Sequence, residues 1–183
     1  MTDEQKRKIL MLIAARRRTG PVPVLLQRVL DLEISYLGYT EQSDGWTMFG
    51  QWYADNVAHN QAFATADWCA MFQTYCMRAC GVPATIWPDT SPQGSAVNYL
   101  APWLAAQGFE IQKTIMPAKF DIILYSWTSD PTNLDHVGMV QSFTGQTPNT
   151  AILNVIEGNK GGQVGYRQIA WTDTQVARVF RLT

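Results

Sequence analysis

Past Phe120 the apolar spacing of this chain changes period, and no other feature constrains the fold as much. Upstream, Leu25, Val29, Leu32 and Tyr36 fall on one stripe of a helix predicted over Val24–Leu37 and closed by Gly38. Phe72, Tyr75, Cys76, Ala79 and Cys80 fall on a second, a helix of about three turns that Gly81 and Pro83 stop. A short helix over Tyr99–Ala106 ends at Gly108. Downstream, Asp121–Trp127, His136–Phe143, Ala151–Ile156, Gln163–Ile169 and Ala177–Leu182 are short β-rich runs between turn-rich gaps. Helices first and consecutive strands later predict an α+β fold, with helices packed on an antiparallel sheet of five to six strands.

The 183 residues suit one core, and 46% hydrophobic against 16% charged residues is a globular balance. A formal charge of −1 supplies no field for nucleic acid or acidic lipid, so no nucleic-acid partner is expected. Thr2-Asp3-Glu4-Gln5 has the form of a capping box, opening a basic helix to about Arg18. Residues 1–22 therefore read as a helical extension, with a solvated basic face, ahead of a domain over 23–183. The apolar run Ile9–Ala15 is too short to span a membrane, and Arg16-Arg17-Arg18 stands where a signal cleavage site belongs. Synthesis in the cytoplasm without a signal peptide, no membrane insertion and a monomeric state are the expectations.

Residues 39–66 form a long polar-aromatic segment, read as a functional loop. Trp46 and Trp52 within it, with Trp68 just after, are candidate walls of a substrate groove; core packing is the alternative for each.

Cys69, Cys76 and Cys80 are an odd count, which rules out a complete disulfide framework. With His59 and His136 as the only histidines, a zinc site lacks ligands, and neither metal nor cofactor is expected. Asp67 reads as an N-cap, which puts Cys69 in the first turn of its helix. There the helix dipole and free N–H groups favour a thiolate, the nucleophilic form, and the Cys69 N–H can meet an oxyanion. Cys76 and Cys80 fall on the apolar stripe and read as core.

A thiolate nucleophile needs a base, and the base needs an orienting partner. His136 opens a strand after the Pro131–Asp135 turn, whereas His59 sits in a polar surface segment. Pairing Phe143 with Ala151 in a hairpin sets His136 opposite about Gly158. A slip of one residue brings Glu157 or Asn159 to the His side of the sheet.

Three blocks in order resemble the CHAP family, the cysteine, histidine-dependent amidohydrolases/peptidases of phage endolysins and bacterial autolysins. They are Ala66-Asp67-Trp68-Cys69-Ala70-Met71-Phe72, Asp135-His136-Val137-Gly138-Met139-Val140 and Val155-Ile156-Glu157-Gly158-Asn159. Gly38-Tyr39-Thr40-Glu41 and Phe49-Gly50-Gln51-Trp52-Tyr53 also look like the approach to the Cys in such domains, so the likeness covers roughly residues 30–183. It implies a papain-like fold of the NlpC/P60 superfamily, with Cys69 at a helix start and His136 on the sheet. It also implies Glu157 as orienting partner with Asn159 nearby, and bacterial peptidoglycan as substrate. The bond cut is then the muramoyl–L-alanine amide or a peptide bond of the stem or cross-bridge. Two departures stand out: no wall-binding repeat is recognisable, and Glu41, Asp44 and Asp55 are too scattered for the acidic calcium loop of some members. An NlpC/P60-type endopeptidase, a secretion-system amidase toxin and a wall- or partner-binding domain with an inert Cys are the alternatives.

Overall fold

A computed structural model describes residues 20–183, so the predicted basic helix and nearly all of the 1–22 extension lie outside the described residues. The five strand-like runs pair into one antiparallel sheet: β1 Ile122–Tyr125, β2 His136–Thr144, β3 Ile152–Glu157, β4 Gly165–Ala170 and β5 Val176–Phe180. Their order across the sheet is β4-β3-β2-β1-β5. Among the described residues four α-helices precede them: α1 Val22–Ser35, α2 Met48–Tyr53, α3 Cys69–Ala79 and α4 Val97–Ala106. The α+β class and the antiparallel sheet are as predicted, with five strands.

Helix α1 begins two residues earlier than its apolar stripe suggested, with Pro21 at its N-cap and Pro23, whose φ is pre-set for a helix, in its first turn. Its buried Leu25, Leu26, Val29, Leu30 and Leu32 face the core. Helix α3 is buried over nearly its whole length and packs on one face of the sheet, against Val137, Met139 and Ile156 among others. A smaller apolar cluster on the opposite face gathers Ile123, Val155, Val179 and Trp171.

Residues 39–66 are not a loop. Thr47 caps α2 by accepting a hydrogen bond from the Gly50 N–H at 2.9 Å. A π-helical turn, Ala54–Ala58, follows, and Asn60 caps a 3-10 turn, Gln61–Thr65. Gly50 is needed where these turns cross, because a Cβ there would lie 2.5 Å from the Phe63 carbonyl oxygen. The aromatic density read as functional is instead core. Phe49 and Tyr53 are fully buried, and the Phe49 ring packs on Tyr36, Tyr39, Trp68, Phe72 and Tyr75.

The β2–β3 hairpin carries the detail that matters for the site. At its loop end Phe143 faces Leu153, two positions from the Ala151 pairing expected from sequence. A bulge at Gln141 then takes one residue back, so that Met139 faces Ile156. Continued to the strand ends, this register sets Glu157 across from Gly138 and His136 across from residue 159. Because side chains alternate along a strand, His136, Gly138 and Glu157 share one face. Gly158, next along, meets helix α3 so closely that a Cβ would lie 2.6 Å from the Phe72 side chain. Gly158→Ala is therefore expected to overpack the sheet–helix contact and cost about 1–3 kcal/mol. An unchanged urea midpoint for that variant would contradict the contact.

Candidate active site

Helix α3 starts at Cys69, with Trp68 as N-cap residue and no side-chain cap. Asp67 thus does not cap the helix as predicted; its exposed Oδ1 instead accepts from the Asn159 amide at 3.3 Å. The first hydrogen bond of the helix runs from Phe72 N–H to the Trp68 carbonyl at 2.8 Å. The N–H groups of Cys69, Ala70 and Met71 are therefore those a helix start leaves without an intrahelical acceptor. What fixes the sulfur is the residue before it. The Trp68 ring is buried, stacks on Phe49 with centroids 5.4 Å apart, and donates its indole N–H to Glu41 at 2.9 Å.

His136 approaches from the first position of β2. Asn98, on α4, grips the backbone just before it, donating to and accepting from Leu134 at 2.9 Å each. The imidazole, 6% exposed, lies between two partners. Its Nε2 is 3.1 Å from Glu157 Oε2, and the Cys69 side chain is its other neighbour, close enough to raise its pKa. A carboxylate can only accept, so Nε2 carries the hydrogen and Nδ1 is left for the sulfur. Gly138 makes room for this arrangement, since a Cβ there would lie 2.7 Å from Glu157 Cγ.

Glu157 is fully buried. Arg167 on β4 donates from Nε to both of its oxygens, at 2.8 and 3.0 Å. Burial alone would push the Glu157 carboxyl up; the hydrogen bonds and charges of His136 and Arg167 more than offset it and hold the group below the usual carboxylate range. Burial likewise pulls His136 down, but the hydrogen bonds and charges of Cys69 and Glu157 bring it up to about 9. The imidazole is accordingly cationic at neutral pH.

A cavity of about 420 Å³ opens over these groups, lined by Cys69, His136, Trp127, Lys160 and Arg167 among others. Of the sequence candidates, the structure brings Cys69, His136 and Glu157 together. Asn159 lines the cavity, in a left-handed turn with φ of 57°, but bonds Asp67 rather than the imidazole. Trp46, Trp52 and Trp68, the candidate groove walls, are not among the residues lining this cavity. Trp46 donates to Gln51, Trp52 packs edge-on against Tyr75, and Trp68 is buried. The tryptophan at the cavity is Trp127, missed in the sequence because it follows a strand rather than the aromatic segment. It is 43% exposed, stacked on Tyr125 and tilted 34° against His136. Asp135 holds it there by accepting from its backbone N–H at 2.7 Å.

Cys76 and Cys80 are buried in the core, as read from the apolar stripe. Among the described residues no group of three or more His, Cys, Asp or Glu side chains is placed to hold a metal ion. No helix among them is long and apolar enough to cross a membrane.

Glu157→Gln removes a negative charge in contact with the imidazole. The His136 pKa is expected to fall from about 9 by about one to three pH units. With only two histidines in the chain, an NMR titration resolves it, and an unmoved His136 would refute the coupling.

A family model described as the CHAP domain matches residues 60–159, more than half of the chain, in agreement with the resemblance read from the three sequence blocks. The matched segment includes Cys69, His136, Glu157 and Asn159 and ends before Lys160 and Arg167. No curated protein matches, and no solved structure does.

Proposed function

The chain belongs to the CHAP family of amidase/peptidase hydrolases, and on that basis we propose that it cuts an amide bond of bacterial peptidoglycan through Cys69 and His136. One observation carries the reading: an imidazole held between a cysteine and a buried carboxylate, at the floor of an open cavity.

The reaction is an acyl transfer in two steps. Cys69 Sγ, as thiolate beside the imidazolium, attacks the amide carbonyl carbon, forming a C–S bond. The carbonyl oxygen gathers the negative charge next to the free N–H groups at the start of α3. As the C–N bond breaks, His136 gives its proton to the leaving amine. Water then loses a proton to His136, its oxygen bonds to the thioester carbon, and the sulfur departs as thiolate. Glu157 neither gains nor loses a proton; it keeps the imidazole in the orientation and tautomer that present Nδ1 to the sulfur. Trp127 forms an exposed apolar wall for the peptide or sugar beside the scissile bond.

A Glu-oriented base argues for this reading over an NlpC/P60-type endopeptidase with a second histidine, because His59 is exposed and absent from the cavity lining. The biological setting we favour is a phage or prophage lysis enzyme that reaches the wall after release from the cytoplasm. A neighbouring holin gene supports it, and a neighbouring immunity gene supports a delivered toxin instead.

Cys69→Ala is expected to abolish release of soluble fragments from purified walls while circular dichroism stays that of the parent. Full activity in that variant ends the proposal. In the parent, kcat/KM should fall as pH rises through about 9, where His136 loses the proton owed to the leaving amine. Mass spectrometry of the muropeptides then identifies the bond cut.

A further inference from the structure

The cavity at Cys69 is lined by two cations with donors to spare. Arg167 spends only Nε on Glu157; among the described residues neither of its terminal nitrogens makes a hydrogen bond. Its guanidinium lies over the Trp127 and Tyr125 rings, 5.0 and 5.3 Å from their centroids, which fixes the plane it presents. Lys160 lines the same cavity, and its ammonium has no ion-pair partner among the described residues. Its backbone is held by the turn in which Lys160 N–H donates to the Gln163 carbonyl at 2.8 Å. The two acids at the cavity, by contrast, are engaged: Asp67 accepts from Asn159, and Asp135 from the Trp127 N–H.

The Arg167 side chain, 26% exposed, lines the open cavity, where its outer nitrogens are available to an incoming group. A guanidinium fork with its outer nitrogens free matches a carboxylate in two parallel hydrogen bonds. We propose that Lys160 and the outer face of Arg167 form a carboxylate subsite beside Cys69, which selects acidic peptides as substrates. Resting on the wall activity proposed above, the anion is a free carboxylate of the stem peptide flanking the scissile amide. Arg167 then has two separate roles. Through Nε it positions Glu157 and, through it, His136; through its outer nitrogens it binds substrate.

The test uses Cys69 as its own reporter and needs no wall. Iodoacetate and iodoacetamide alkylate a thiolate by the same displacement, carbon–sulfur bond formation with loss of iodide, and differ in that the first carries a carboxylate. Second-order rates at Cys69, read by peptide mass spectrometry, give an iodoacetate-to-iodoacetamide ratio in which thiolate population cancels. Lys160→Gln leaves the Glu157–His136 pair untouched and should lower that ratio about fivefold, the worth of one near charge in water. Arg167→Gln should lower it at least as far, and added salt should shrink both effects. A ratio unmoved in both variants overturns the subsite, as does a wild-type Cys69 that neither reagent reaches. Charge-dependent ratios in a protein that leaves walls intact would keep the subsite and refute the wall hydrolase.

Discussion

Everything at this site depends on a carboxylate that is ionised where water cannot reach it. An isolated charge of that kind costs several kcal/mol to bury, and proteins tolerate it only when partners satisfy its lone pairs. Glu157 has both partners it needs, an imidazolium on one oxygen and a guanidinium nitrogen across both. The three groups come from neighbouring strands, β2, β3 and β4, so the ion chain exists only in one register of the sheet. Pairing tightly determines the chemistry here: a one-residue slip would turn Glu157 away from His136 and leave a charge buried without a partner.

The nucleophile is fixed by different means. Cys69 belongs to the helical layer, and its neighbour Trp68 is wedged in the aromatic cluster around Phe49. That cluster is why residues 39–66, which look like loop by composition, are ordered into short turns against α3. Aromatic rings bury large areas and lose little rotamer freedom. A segment with few regular hydrogen bonds can thus still hold the start of a catalytic helix against the end of a sheet. The Gly38–Glu41 stretch ties the two layers together, exchanging backbone hydrogen bonds with Gly162 and Val164 beyond the end of β3.

Much of this was legible in the residues. The switch from helical to alternating periodicity marked the sheet, and the helix position of Cys69 marked the reactive thiol, because both rest on short-range pattern. The hairpin register was less legible: Gln141 looks like any strand residue, and its bulge shows only once β2 and β3 are paired. Without it the choice between Glu157 and Asn159 stayed open on residue reasoning alone; with it, Glu157 meets the imidazole and Asn159 turns to Asp67. Trp127 and Arg167 were missed for a related reason. Nothing local distinguishes a tryptophan after a strand, or an arginine within one, until β1, β2, β3 and β4 lie side by side. The three tryptophans chosen instead were near Cys69 in sequence, but nearness in sequence to a helix start leads into the core as readily as out to the cavity.

The chain contains a second fully buried glutamate, and the contrast explains why one thiol of three lies beside an imidazole ready to react. Glu33, on α1, has no ion pair among the described residues, and burial pushes its carboxyl well above the usual range. Cys76 on α3 and Cys80 at its C-cap face that region; burial first, and then Glu33, push both thiols up, the second to about 12. Cys69 and Cys76 sit on one helix and Cys80 at its C-cap, yet it is the one at the first turn that lines the cavity beside an imidazole. Partner choice rather than residue type thus separates the two glutamates: burial without a cation raises one carboxyl, while two cations lower the other and let it support the base.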